Sequence, residues 1–190
     1  MEPDRRAIVS VTYTHKRANR QYIAMTDEEV WKFLESHDRL FVSFPTPDGF
    51  PHVTPIWFCV IEGKIYLRTQ EYKVKARLAN SGKVCCSIDE GKYYKELRGV
   101  VIWGKSRLLT DPDLILRVSN AISARYKREQ WKESEMPRWW VRARKKERRA
   151  YIEIVPKRIS SWDNTKLTRL QKTPESAAKD VSPKLPGRFH

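Results

Sequence analysis

Four cations and one hydroxyl crowd the stretch YLRTQEYKVKARL, residues 66–78: Arg68, Thr69, Lys73, Lys75 and Arg77. The stretch reads as a strand, a turn and the start of a helix. A phosphate there would meet the Thr69 hydroxyl, the unpaired N–H groups of a helix's first turn and the ammonium groups of Lys73 and Lys75. Arg68 could add a two-pronged grip. The same residues could instead be a solvated face on a short helix, because charge runs commonly mean surface. Other chemistry is harder to place. His15, His37, His52 and His190 lie far apart, without ligand spacing, and no Ser-His-Asp or paired-carboxylate arrangement can be argued. The three cysteines, Cys59, Cys85 and Cys86, lack metal or redox-pair spacing and read as small core residues.

The formal net charge is +15. A surplus of that size suits a polyanionic partner: nucleic acid, an anionic membrane, or a phosphorylated or acidic cofactor. It concentrates in RWWVRARKKERR, residues 138–149, and in the tail after Lys166. Trp139 and Trp140, beside Arg138 and Arg142, could stack on bases or sit at a membrane surface; they could also anchor a basic helix to the body of the protein. No apolar run is long enough to cross a bilayer. The N-terminal AIVSV is too short for a signal-peptide core and is followed by basic residues. These features predict a soluble, cytoplasmic protein.

The elements that must hold the cationic junction follow from periodicity. Residues 1–25 read as a polar, basic extension, 26–166 as one domain, and 167–190, rich in Pro, Ser and Lys, as a disordered tail. A capping box, Thr26 with Glu29, starts a helix whose apolar face is Val30, Trp31, Phe33 and Leu34. Strands are predicted at 39–44, 51–61 and 64–69, with turns at Asp48-Gly49 and Glu62-Gly63, forming an antiparallel meander. Pro51 and Pro55 predict an edge or a bulge in the second of these. A short helix over 72–82, strands at 83–89 and 100–109, a helix capped by Asp111 with Pro112 in its first turn, and one or two strands over 151–162 complete the pattern. Many short strands with few helices predict a mainly β, barrel-like fold with flanking helices. Strands such as IWFCVI are apolar on both faces, so the outside of the barrel needs a helix or a second subunit to cover it.

The run RLFVSFPTPDGFPHVTPIWFCVIEGKIYLRTQEYKVKARLANSGKVCCSIDE, continued by GVVIWGKSRLL, resembles the pyridoxamine 5'-phosphate oxidase-like family of flavin-binding split β-barrels. Its ordered features are Asp-Gly-x-Pro-His, Pro-x-Trp-Phe, a strand ending in Thr, Lys-Ala-Arg-Leu and Trp-Gly-Lys-Ser-Arg-Leu-Leu. The resemblance implies a homodimer with a cofactor at each subunit seam. That cofactor is usually flavin mononucleotide (FMN); one branch uses the deazaflavin coenzyme F-420, and another binds haem. Carried over by position, Arg68, Thr69, Lys73 and Lys75 match the phosphate-binding stretch. Thr54, Pro55, Ile56 and Trp57 match the segment along the isoalloxazine ring. Trp103 and Trp162, the latter within SSWD, would approach a cofactor from the neighbouring subunit. The implied activity is hydride transfer through the cofactor to a small substrate, with nucleic-acid binding or cofactor storage as the alternative class. Two departures stand out. KARLANS replaces the usual Lys-Ala-Arg-Asn-Leu, and ISSWDNTKL lacks the arginine–histidine pair that holds pyridoxine substrates, which argues against pyridoxamine phosphate as substrate.

Overall fold

The computed structural model describes residues 12–13, 22–126, 137–139, 142 and 148–170. The first eleven residues, the larger part of the basic run at 138–149 and the tail from 171 lie outside these, so the expectations for the N-terminal arm, Trp140 and the disordered tail fall beyond the described residues.

A six-stranded antiparallel barrel forms the body. Its strands are β2 (Arg39–Pro45), β3 (Pro51–Ile61), β4 (Lys64–Gln70), β5 (Val84–Glu90), β6 (Arg98–Leu108) and β7 (Arg149–Asp163), in the order β7-β4-β3-β2-β5-β6 with β6 closing back on β7. Alternation puts one face of each strand inside. Leu40, Val42 and Phe44 of β2, Ile65 and Leu67 of β4, and Ile152, Ile154 and Ile159 of β7 fill the core. The closed ladder leaves few edges exposed. Helix α1 (Asp27–Glu35) plugs one end with Val30, Phe33 and Leu34. Its capping box is formed: Thr26 Oγ1 accepts from the Glu29 N–H at 3.2 Å, and Glu29 Oε2 accepts from the Thr26 N–H at 2.7 Å.

The chain between β4 and β5 plugs the other end. The helix expected over 72–82 is α2 (Val74–Leu78) followed by a 3-10 turn, Ala79–Ser81, that stops at Gly82 with φ +77°. Tertiary bonds tighten it. Ser106 Oγ donates to the Ala79 carbonyl at 2.6 Å, and the Leu108 N–H donates to Asn80 Oδ1 at 2.9 Å. Helix α3 (Pro112–Arg125), capped by Asp111 as expected, lies outside β3 and β4. There Val118, Ile122 and Tyr126 bury Cys59, Tyr66 and Tyr151 in a second cluster, with Trp57 against it.

The C-terminal strand is one continuous element of 15 residues. Its pairing with β6 slips between Trp103 and Gly104, so that Lys157 is the extra residue beside Pro156. A bulge is where a proline can be tolerated in a strand. Thr12–Tyr13 (β1) pairs in parallel with β7, Met25 belongs to the core, and the Asp163 N–H donates to the Ile23 carbonyl at 2.6 Å. Residues before 26 therefore belong partly to the barrel. Helix α4 (Thr165–Leu170) carries order past 166, held to α1 by the Lys166 ammonium on the Ala24 carbonyl and Glu29.

One buried charge braces the wall behind β4. Glu153, 2% exposed, accepts from Arg107 Nε at 3.0 Å and Nη2 at 3.3 Å, and from the Tyr66 phenol at 3.3 Å, with Lys64 Nζ at 3.6 Å. Burial pushes this carboxyl upward, but the Arg107 hydrogen bonds, helped by Lys64 and Tyr66, outweigh it and hold the pKa below the usual glutamate value.

Candidate functional site, a cleft between two splayed strands

β3 and β4 pair only from Ile61↔Lys64 to Phe58↔Leu67. Beyond that point they part. Pro51–Trp57 pair with β2, and Arg68–Gln70 pair with β7. Two facing edges are thus left, with α2 at their mouth. Alternation of backbone direction shows which groups look into the gap. The Phe58 N–H donates away from β4, to the Tyr126 phenol at 3.1 Å. The polar groups of Trp57, Pro55, Val53 and Pro51 therefore turn toward the open side. Both prolines sit at positions whose missing N–H faces the gap, so neither removes a bond from the β2 ladder. The edge expected from Pro51 and Pro55 is this half-strand edge.

Thr54, Pro55, Ile56 and Trp57 lie on the β3 edge, and Arg68 and Thr69 on the β4 edge. Thr54 and Ile56 face inward, Ile56 buried and Thr54 half-buried with its hydroxyl donating to the Pro55 carbonyl at 3.3 Å. Trp57 faces outward and lies parallel to the Tyr126 ring, 4.7 Å between centroids and 10° between planes. On the far edge Thr69 is buried, while Arg68 faces outward and donates from Nη1 to Ser123 Oγ at 3.2 Å. The Arg68 fork is therefore partly committed to α3.

Lys73 and Lys75 follow the Arg68–Gln70 edge in the chain, at the start of α2. Lys73 is the N-cap residue of α2, without a side-chain cap, and its Nζ lies 4.9 Å from the Tyr72 ring centroid. Lys75 is half-buried, and burial, then the Lys73 charge, holds its ammonium below the usual lysine range. No carboxylate among the described residues pairs with Lys73, Lys75 or Arg77. A desolvated cation beside a like charge and without a counter-ion is unfavourable alone and relieved by an anion. With only five helical residues, α2 has little dipole; side chains, not the helix terminus, carry the positive charge.

Trp103 and Trp162 lie elsewhere, on the outer face of β6 and β7. The Arg158 guanidinium stands 4.0 Å from the Trp103 ring centroid. The Trp162 ring covers Gly99, its cross-strand partner, where a Cβ would come within 2.1 Å of the indole. One chain thus leaves both tryptophans away from its own cleft. Their face continues across Cys85 and Ser43 to Val53, and across Ser87 and Phe41 to Pro55. Val53 is 55% exposed and Phe41 49%, so α3 covers only part of the barrel's apolar outside. Cys59 and Cys86 are buried as expected; Cys85, on this face, is half-buried. Trp139, read as an anchor for a basic helix, is 70% exposed. Among the described residues there is no group of His, Cys, Asp and Glu placed to hold a metal, and no helix long and apolar enough to cross a membrane.

By its spacing Tyr126 closes the apolar stripe of α3 formed by Leu114, Val118, Ala121 and Ile122. Its phenol also donates to the Phe58 carbonyl at 2.8 Å or the Asp38 carbonyl at 2.5 Å. A phenol closing the apolar stripe of α3 was the available signal.

A closed six-stranded barrel with a strand pair that parts halfway and a basic plug at the opening is a split β-barrel. The model of the family described as pyridoxamine 5'-phosphate oxidase matches residues 26–162, and the chain belongs to that family. It is similar to a conserved hypothetical protein of Mycobacterium tuberculosis, with 30% identity, a TM-score of 0.67, and coverage of 82% of this chain and 93% of the other. Two solved structures share the fold at lower identity. An FAD-binding protein of Mycobacterium smegmatis is 18% identical, with a TM-score of 0.54, over 74% of this chain and 95% of that one. An FAD-binding protein of Mesorhizobium loti is 18% identical, with a TM-score of 0.55, over 73% and 94%. No curated protein matches the sequence.

Proposed function

We propose that the cleft binds a flavin-type cofactor, FMN in the first instance, and that the protein is an oxidoreductase acting through it on a small substrate. The observation that carries this reading is Lys75: a half-buried ammonium, depressed by its surroundings and without a carboxylate partner among the described residues, on the helix that follows the open edge of β4. Lys75 and Lys73 would hold the phosphate. The backbone groups of Val53, Pro55 and Trp57 would meet the polar edge of the ring. When bound, the cofactor supplies hydride transfer, which fits the lack of an acid–base constellation among the described residues. The names of the two FAD-binding relatives point to the same class of ligand.

The same reading includes a homodimer. Phe41 and Val53 are exposed in one chain, on the face that also carries the half-buried Trp103, and pairing this face with a second copy would bury them. It would also carry Trp103 and Trp162 toward the partner's cofactor. A second reading, coenzyme F-420, draws on the cation surplus: Lys73, Lys75 and Arg77 within five residues exceed what one phosphate neutralises, and suit a tail with several carboxylates. Titration of the purified protein with FMN, riboflavin and the deazaflavin, followed at their visible bands, tests both. Saturable binding of FMN above riboflavin supports the first; binding of the deazaflavin alone selects the second; no binding of any removes the proposal.

A further inference from the structure

The parting of β3 from β4 needs something to hold it, and the end of α3 is placed to do so. Phe58 is the last β3 residue paired with β4. Its opposite edge looks toward β2, which begins one residue too late to meet it: Arg39 pairs with Trp57, and Asp38 precedes the strand. The Tyr126 hydroxyl fills that missing rung. It accepts from the Phe58 N–H at 3.1 Å, and its single proton goes to the Asp38 carbonyl at 2.5 Å or the Phe58 carbonyl at 2.8 Å. The Tyr126 ring is also the surface on which Trp57 lies. Tyr126 is 2% exposed, and burial keeps its phenol protonated and able to donate.

Arg125, next in the chain, makes an adjoining latch, its guanidinium 5.0 Å from the Phe58 ring centroid and 5.9 Å from that of Tyr126. Its Nη2 donates to the carbonyls of Leu34, at 3.2 Å, of Glu35, at 2.7 Å, and of His37. One helix end therefore holds two things: Arg125 the exit of α1, and Tyr126 the point where the cleft opens.

We propose that Tyr126 is a positioning residue for the cleft, setting the course of Pro55–Phe58 so that its free backbone groups present one fixed edge to the ring of the bound cofactor. The proposal deepens the flavin reading and rests on it for its ligand. Tyr126 does not touch the cofactor; it acts through Phe58 and Trp57. Removing the hydroxyl leaves the ring, its burial and the Trp57 stack in place, but drops the rung. The open edge is then free to wander, and a ring that needs a fixed edge loses affinity.

The test compares Tyr126→Phe with Arg125→Lys, which weakens the neighbouring latch, keeps a cation beside the Phe58 and Tyr126 rings, and leaves the hydroxyl itself in place. Riboflavin is the probe, because it carries the ring without the phosphate. Tyr126→Phe is expected to weaken riboflavin about tenfold and to leave the ratio of FMN to riboflavin affinity unchanged, since the cations are untouched. Arg125→Lys is expected to lower Tm with less than a twofold change in riboflavin affinity. A second arm needs no cofactor: amide exchange at Ile56 and Phe58, whose N–H groups face β2 and the Tyr126 phenol, should speed up in the free protein in Tyr126→Phe more than in Arg125→Lys. A Tyr126→Phe protein that melts earlier but binds riboflavin as the wild type does, with unchanged exchange at these amides, overturns the proposal and leaves Tyr126 a stability residue. If Tyr126→Phe does not fold, Trp57→Leu, which removes the stack and keeps the rung, must retain slow exchange at Phe58; fast exchange there overturns it equally. A wild-type protein that binds no flavin at all would end the flavin reading, and the exchange arm would still decide whether Tyr126 fixes the edge.

Discussion

Replacing Lys75 by alanine removes one ammonium from the mouth of the cleft and changes little else, because the side chain is only half-buried. A hydrogen bond from a charged donor contributes about 1.5–3 kcal/mol. With about 1.4 kcal/mol for each factor of ten, the loss in FMN affinity should be roughly 10- to 100-fold. Riboflavin has the same ring and no phosphate, so its affinity should move less than about threefold. The comparison is made by titrating wild type and Lys75→Ala with each ligand, reading the visible band. Equal losses for the two ligands would refute the assignment of Lys75 to the phosphate. The free protein gives a second check of opposite sign. The folded pKa of Lys75 lies below its ordinary 10.5, so the charged form is the one the fold disfavours. Its cost to stability is full below the folded pKa and fades as pH rises to 10.5. Lys75→Met should therefore raise the Tm of the ligand-free protein at pH 7, and the gain should shrink toward pH 10.5. A lower Tm at pH 7 would mean the ammonium already has a favourable partner.

Four further outcomes follow from the same geometry. Val53→Asp places a charge on the exposed apolar face; sedimentation should show a monomer where the wild type is a dimer, and a wild type that is already monomeric would end the dimer proposal. Gly99→Ala drives a methyl into the Trp162 ring, 2.1 Å away, and should destabilise by about 1–3 kcal/mol, read as a lower midpoint in urea. Glu153 and Glu29 both have folded pKa values below 4.5, Glu153 through Arg107 against the pull of burial and Glu29 chiefly through Lys166. Their stabilisation is present above pH 4.5 and lost as pH falls through the folded values, so Glu153→Gln should flatten the acid limb of the stability curve. Leu67→Ala, at the last rung before the strands part, should cost about 2–5 kcal/mol and reduce cofactor affinity as well as Tm.

The local elements were legible because their signals are local. Thr26 with Glu29 and Asp111 with Pro112 start helices through bonds within one turn, and the strand 51–61 shows its turns at both ends. The order of family motifs matches Lys73 and Lys75 to a phosphate-binding stretch and Thr54–Trp57 to the segment along the ring, an assignment that the FMN and riboflavin titrations test. What the chain could not reveal by itself depended on residues far apart. The end of the α2 segment is set by Ser106 and by the Leu108 N–H, nearly thirty residues on, and the bulge beside Pro156 depends on register with β6. The half-burial that depresses the Lys75 ammonium exists only once the barrel closes. Sequence alone determined which residues are cationic and which strand runs beside them, since composition and short-range periodicity suffice for that. Only the tertiary structure decided that β3 and β4 part at Phe58, because β2 and β7 take up the two edges beyond it, and that Arg68 leans on Ser123 and Tyr126 supplies the missing rung, because those two are contacts across 55 and 68 residues.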